Sequence, residues 1–459
     1  MKKYSFNILP LAFAALLTAS CQESELDLEP VLSTTTSTIF NSKEKIESNL
    51  LGIYADAKSL LAFKGVAYND VRGEDVVSLS PNTYECYSVY EMAIGLSTAD
   101  NTDTWAALYK VVNEANTFLE NLDKAKDVAG NGYAQYAAEA KFLRALSYYH
   151  LNKLYAAPYA LNPDGLSVPL RLKAESGTAD NDLVQSTTKE VYAQVLDDLS
   201  DANIAALPAG GKTYAAVTRA SQGAAHVLRQ RVYLEQQDWQ KAIVEGKAVT
   251  GYSLTKTVAD AFSTYINSEA IFSFPMEPTN KGANQTALAY YYATGALFVI
   301  DTQYGYPAHK AYALPADTRI SLLTEPVGGN LKLKKYPDSS SYLDWTPVFR
   351  LAEVKLNLAE AYANANMTKD AIEQLSDVRR RSIAASDDII DLTALSGNEL
   401  LEAISLERRA EFVGEGLRAL DATRHAETIV KRNGTFTPQT NGYVWPIPTS
   451  ERTVNKLIK

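Results

Sequence analysis

The chain has 459 residues, and 44 lysines and arginines stand against 54 aspartates and glutamates, for a formal net charge of −10. That balance argues against nucleic acid or anionic lipid headgroups as partners, because both call for basic patches. Cysteine is limited to Cys21 and Cys86, and a chain of this length can draw its stability from core burial.

Lys2 and Lys3 precede a short apolar run at 8–17, and Leu17-Thr18-Ala19-Ser20 leads into Cys21. The run is far short of the roughly 20 residues a spanning helix needs, so residues 1–20 read as a signal peptide. Small residues before a cysteine resemble the lipobox of bacterial lipoproteins, although Leu17 sits one position further from Cys21 than that pattern places it. The resemblance implies that Cys21 becomes the first mature residue and carries acyl chains, palmitate among them, leaving Cys86 without an intrachain partner. Several chains on one residue anchor stably where one is marginal. Residues 21–40 then form a tether, and its acidic start, Glu23, Glu25, Asp27 and Glu29, resembles the surface-export signal of Bacteroidota-type lipoproteins. An ordinary charged tether is the plainer reading.

Beyond the tether, 43–59 is predicted helical, with Ile46, Leu50, Ile53 and Tyr54 on one face. Residues 62–101 lack helical periodicity, contain Gly65, Gly73, Pro81 and Gly95, and read as long, partly ordered loop. Helices follow at 102–122 and 132–155, then a connector at 163–181 and a helix at 187–205. Two later helix pairs repeat, 218–236 with 239–249 and 346–364 with 369–382. Tyr233 precedes Ala242 by the same nine positions that separate Tyr362 from Ala371. An aromatic late in the first helix and a small residue early in the second resemble tetratricopeptide units, with Gln230 departing from the pattern where the second pair has Ala359. Pairing 43–59 with 102–122 and 132–155 with 187–205 gives four helical hairpins. Between the last two lies 252–345, rich in turns and tyrosine, with a short strand at 270–274 closed by Pro275. A loop region of this size is functional or disordered, and its aromatic content argues against disorder.

The segment 407–424 packs eight charges into an apolar-periodic stretch and is predicted as one helix with Leu406, Ala410, Phe412, Val413, Leu417 and Leu420 inward. Arg408/Glu411, Glu415/Arg418, Arg418/Asp421 and Asp421/Arg424 stand at i,i+3 spacing, where side chains meet. The plain reading is a structural ion-pair network.

This segment resembles the C-terminal signature of the SusD/RagB family. Lys141-Phe142-Leu143-Arg144-Ala145-Leu146-Ser147-Tyr148-Tyr149, Phe349-Arg350-Leu351-Ala352-Glu353-Val354, and Trp445-Pro446-Ile447-Pro448 with Glu451 and Asn455 extend the likeness across most of the mature chain. The resemblance implies a mostly α fold, in which tetratricopeptide-like hairpins carry long irregular insertions as the ligand face. That domain would span 41–459, with an N-terminal part at about 41–250 and a C-terminal part at about 260–459. It also implies a lipid-anchored, surface-facing outer-membrane protein of a Bacteroidota-type bacterium. Such a protein captures a nutrient oligosaccharide for a SusC-like TonB-dependent transporter. A peptide ligand and a scaffold that binds no nutrient are the alternatives.

Ligand residues vary within the family, so candidate contacts rest on local chemistry. Tyr290, Tyr291 and Tyr292 cannot all face the core from a strand, since alternate side chains point opposite ways; at least one is expected to reach solvent as a stacking platform. Tyr84 and Tyr87 are expected to line the same surface, with core or loop packing the plainer reading, and Trp345 either stacks on sugar or caps the following helix. Asp70 and Arg72, with Glu74 and Asp75 at a turn, are candidates for bonding hydroxyls. No catalytic role is expected: His150, His226, His309 and His425 make no metal-ligand spacing, and no nucleophile elbow, Walker loop or dinucleotide fingerprint is present. Carboxylate pairs are plentiful, but helical hairpins seldom present one in glycosidase geometry. No cofactor or metal is expected; Asp100 and Asp103 form only one short acidic cluster.

Overall fold

A computed structural model describes residues 39–79, 86–177, 181–282, 284–294, 297–309, 314–327 and 330–458. The signal peptide, Cys21 and its tether, and Tyr84 lie outside the described residues. Ser42 accepts a hydrogen bond from the Lys45 amide and starts α1 (Lys43–Leu61). The side chains at Ile46, Leu50, Ile53 and Tyr54 are buried as their spacing requires. The stretch 62–101 is more regular than its glycines suggest. It holds α2 (Lys64–Arg72), the short strand β1 (Val76–Ser78) and a helical turn at Tyr87–Tyr90. Tertiary burial of Val66, Ala67, Tyr68 and Val71 orders α2 despite its short length, as packing rather than propensity decides most helices.

α3 (Ala99–Lys124) packs between α1 and α4 (Tyr133–Tyr155). α4 is buried nearly all round, from Tyr136 to Tyr155, and pairs with α5 (Thr188–Asp198), whose first turn is closed by a capping box between Thr187 and Glu190. The repeat seen in the sequence is exact in its turns. α6 (Gln222–Glu235) passes to α7 (Trp239–Ala248) through Gln237 at φ +57°, and α8 (Leu351–Asn364) passes to α9 (Thr368–Arg380) through Asn366 at φ +60°. In the first turn the Asp238 amide donates to the Tyr233 carbonyl at 2.9 Å, and in the second the Met367 amide donates to that of Tyr362 at 2.8 Å. Ala242, Ala359 and Ala371 are fully buried. Gln230 is buried too, and its amide bridges the pairs by accepting from Asn357 at 3.1 Å.

The fold is mostly helical, with three small sheets among the described residues. β2 (Ala270–Phe274) pairs antiparallel with β6 (Thr346–Arg350). The sequence places 346–350 in the first turns of the following helix, but pairing with β2 holds them extended and α8 begins only at Leu351. A four-stranded sheet runs in the order β1-β3-β5-β4, with β3 at Phe298–Ile300, β4 at Leu323–Val327 and β5 at Asn330–Leu333.

The charged segment is two helices rather than one. α10 (Gly397–Phe412) stops, the chain turns through Gly414 at φ +83° and Gly416 at φ +72°, and α11 (Arg418–Arg424) follows. These left-handed positions favour glycine, and at Gly416 a Cβ would also stand 2.7 Å from Val66 Cα. β7 (Ile429–Lys431) and β8 (Gly434–Phe436) form a hairpin, and α12 (Thr449–Val454) ends the regular structure. Among the described residues no helix is long and apolar enough to cross a membrane.

Candidate functional site

The break between α10 and α11 aims the signature charges outward from their own segment. Arg350 donates to Glu411 Oε1 at 2.6 Å, to Glu269 at 2.7 Å and to Glu415 at 2.7 Å, and Arg381 also pairs with Glu411. Burial pushes Glu411 up, but Arg381, Arg350 and Arg319 outweigh it and hold the carboxyl well below its usual range. Arg418 reaches Glu74 at 2.6 Å, Arg424 pairs with Glu360, and Arg408 joins Asp421 at 2.7 Å and Asn357 at 2.6 Å. Of the four i,i+3 pairs expected, the described contacts contain only Asp421–Arg424, at 3.0 Å. The network therefore ties α10 and α11 to β6, α8, α9 and the residue preceding β2, and so fixes the base from which the long insertion rises.

Much of the expected ligand surface lies inside. Tyr290, Tyr291 and Tyr292 open a π-helical turn, Tyr290–Thr294, rather than a strand, so the alternation argument does not apply and two neighbours face inward together. Tyr291 stacks between Phe63 at 4.9 Å and Phe298 at 4.7 Å. Tyr292 is fully buried against Tyr336 and donates to Asp70. Tyr290 is half-buried against Tyr291 and Tyr342. Asp70 and Arg72 are also interior, because α2 carries them where a loop was expected. The guanidinium of Arg72 donates to the Tyr443 carbonyl at 2.8 Å, and burial pulls its pKa down to about 10. Tyr87 is half-buried, packed on Tyr90 at 6.2 Å, and shares no described contact with Trp345.

Trp345 is half-buried, as Tyr290 and Tyr87 are, but it is packed with two further aromatic residues, one of them exposed. Its indole stacks on Tyr265 with centroids 5.3 Å apart and planes 8° from parallel, and Tyr214 meets it edge-on at 5.6 Å. Tyr214 is 45% exposed, and Trp345 and Tyr265 are half-buried. The loop beneath is rigidly tied: Asp338 accepts from the amides of Ser341 at 2.8 Å and Leu343 at 3.0 Å, while Asp344 accepts from the Asp338 amide at 2.8 Å and the Tyr265 phenol at 2.7 Å. Burial and neighbouring Glu277 push the Tyr214 phenol up to about 12. Preordered aromatic faces beside carboxylates suit a polyhydroxylated ring, whose C–H face stacks while its hydroxyls donate. Tyr214 and Tyr265 stand 131 and 80 positions before Trp345 with no periodic pattern linking them, and only the fold gathers them around it.

His150, His226 and Asp100 are engaged in contacts within the fold. His150 is buried near Arg231, and burial drives it down to about 3, so it is neutral. His226 pairs with Glu245 at 2.7 Å, and Asp100 accepts from the Tyr68 phenol at 2.8 Å. Among the described residues, no group of three or more His, Cys, Asp or Glu side chains is placed to hold a metal ion.

Tetratricopeptide-like pairs carrying long insertions define a helical-repeat fold. Two family descriptions match the chain, "Starch-binding associating with outer membrane" over 26–234 and "SusD family" over 330–459. The chain belongs to the SusD/RagB family, which is one of carbohydrate-binding proteins. A SusD superfamily protein from Bacteroides fragilis is 42% identical, with a TM-score of 0.88 over 92% of this chain and 100% of that one. The SusD-like protein P25 of Formosa agariphila is 24% identical, across 98% of this chain and 97% of its own length. A laminarin-binding SusD-like protein shares the fold, with a TM-score of 0.72 at 21% identity over 91% of this chain and 99% of that one.

Proposed function

We propose that this protein is a surface-exposed lipoprotein that captures a nutrient oligosaccharide and delivers it to a SusC-like TonB-dependent transporter. The observation that carries the capture step is the accessible Tyr214–Trp345–Tyr265 cluster, held open by Asp338 and Asp344 on a carbohydrate-binding fold. The laminarin-binding relative supports a glycan over a peptide. Acylation of Cys21 would hold the protein at the outer membrane, with the acidic tether leading it to the cell surface. Binding uses stacking and hydroxyl contacts, with no covalent step and no cofactor.

The test is calorimetry on the soluble form beginning at Gln22, against a panel of polysaccharides and peptides, with Tyr214→Ala and Trp345→Ala beside the unmodified chain. Binding of one glycan class that both variants weaken supports the reading. Binding of peptides alone would replace the ligand class, and silence on both panels would leave a scaffold. Co-purification with a TonB-dependent barrel, lost on Cys21→Ala, tests the anchoring and delivery steps.

A further inference from the structure

A separate cleft opens along α3, away from the residues that form the Trp345 cluster. Trp105, Tyr109 and Asn113 recur every fourth residue and so share one face of that helix. The connector residues Arg171 and Glu175 form the opposite wall, and Glu451 of α12 closes the end. The cavity volume is about 420 Å³, inside the range of roughly 300–1,000 Å³ typical of small-ligand sites.

The walls are fixed before any ligand arrives. Arg171 donates to Glu175 at 2.5 Å and to Glu451 at 2.9 Å. The Trp105 indole N–H donates to the other oxygen of Glu451 at 3.3 Å, and Asn113 exchanges two hydrogen bonds with the Glu175 backbone at 2.7 and 2.9 Å. Tyr109 is anchored through its phenol to the Pro169 carbonyl at 2.7 Å, leaving its ring as part of the lining. The formal charges of the lining balance: Arg171 meets both Glu175 and Glu451, while the Lys110 ammonium turns to Asp56 at 2.7 Å and Glu114 at 3.6 Å. A cleft whose charges are already paired, and whose accessible aromatic surface is the half-buried Tyr109 ring with Trp105 only 4% exposed behind it, disfavours an ionic ligand and suits a neutral one rich in hydroxyl groups.

We infer that this cleft is a second saccharide site, taking a neutral mono- or disaccharide unit. The inference rests on the reading of the chain as a glycan binder, and places on α3 a contact that the loop face does not supply. A chain with two sites holds a long glycan at two points, which raises retention through effective concentration without tightening either contact.

The test uses three proteins: the unmodified chain, a Tyr214→Ala/Trp345→Ala variant, and Ala106→Trp, which fills the cleft from an exposed lining position. Each is titrated calorimetrically with glucose, galactose, mannose, xylose and their disaccharides, and crystals are soaked with any sugar that binds. The expected result is a site that survives in the double variant, shows sugar density against Trp105 and Tyr109, and weakens at least tenfold in Ala106→Trp. Should Ala106→Trp fail to fold, Val454→Trp closes the cleft from the other side. Unchanged affinity and stoichiometry in the cleft-filling variant, with binding lost in the double variant, overturns the second site and leaves the loop-face reading standing. An unmodified chain that binds no sugar overturns both.

Discussion

The phenol of Tyr292 donates to the carboxyl of Asp70 at 2.7 Å, in an interior where the second oxygen accepts from the Gly416 amide at 2.9 Å. Burial pushes Asp70 up to about 7, and these two hydrogen bonds offset only part of that rise. The folded state therefore binds a proton that the unfolded chain releases near pH 4. The contribution of this group to stability is fully present below about pH 4, declines as pH rises to about 7, and is flat above. Asp70→Asn keeps a neutral side chain able to meet both partners. It should remove that slope in urea unfolding followed at several pH values, and an unchanged slope would refute the assignment.

Glu411 is expected to be the least replaceable carboxylate of the signature. Glu411→Gln leaves Arg350 and Arg381 with one acidic partner fewer in a site from which water is excluded. Removing one member of a buried ion pair costs about 3–5 kcal/mol, readable as a lowered urea midpoint. A loss below about 1 kcal/mol would show that the arginines find other partners.

Gly416→Ala should be strongly destabilising for two independent reasons. A left-handed backbone costs an L side chain roughly 1–2 kcal/mol, and the added Cβ would meet the Val66 backbone at 2.7 Å. Thermal melts of this variant beside Gly52→Ala, a helical position where a Cβ meets nothing within 4 Å, separate the local effect from a general one. Equal melting temperatures would contradict it.

The helix pairs were readable because each buries its own periodic face, and the Tyr233/Ala242 and Tyr362/Ala371 spacings report contacts within a single hairpin. Signals that depend on distant partners were not. The charges of 407–424 suggested pairing within one helix, but Glu411 meets Arg319, Arg350 and Arg381, and Arg418 meets Glu74, residues whose approach no local pattern reports. Period-two reasoning about the tyrosine triplet presumes an extended backbone, whereas a π-helical turn brings Tyr291 and Tyr292 inward together and leaves Tyr290 half-buried. Trp345 was visible as a residue, whereas the aromatic cluster around it was not.

Trp345→Ala and Tyr291→Ala should therefore fail in different ways. Trp345→Ala is expected to weaken glycan binding about tenfold, or about 1.4 kcal/mol, with a melting temperature close to that of the unmodified chain. Tyr291→Ala removes a ring packed between Phe63 and Phe298 and is expected to cost about 3–5 kcal/mol of stability, as for other buried aromatics. Calorimetry and thermal melts on the pair distinguish these outcomes, and a stable Tyr291→Ala that loses ligand would return the tyrosine triplet to the binding surface.

The turns at 445–455 are stitched onto α3, α4 and the connector that follows α4. The Trp445 amide donates to the Leu154 carbonyl at 2.8 Å, Asn101 donates to the Pro446 carbonyl at 2.9 Å, and Asn455 exchanges hydrogen bonds with Leu183 at 2.9 and 3.1 Å. α3 and α4 thus remain without their final cover until segments some 300 residues later have been made. Contacts this distant in sequence form late, so docking of 445–455 is expected among the last steps of folding, with α3 and α4 incompletely covered until then. Loss of that docking would leave the α3–α4 surface open to association with other incompletely folded chains.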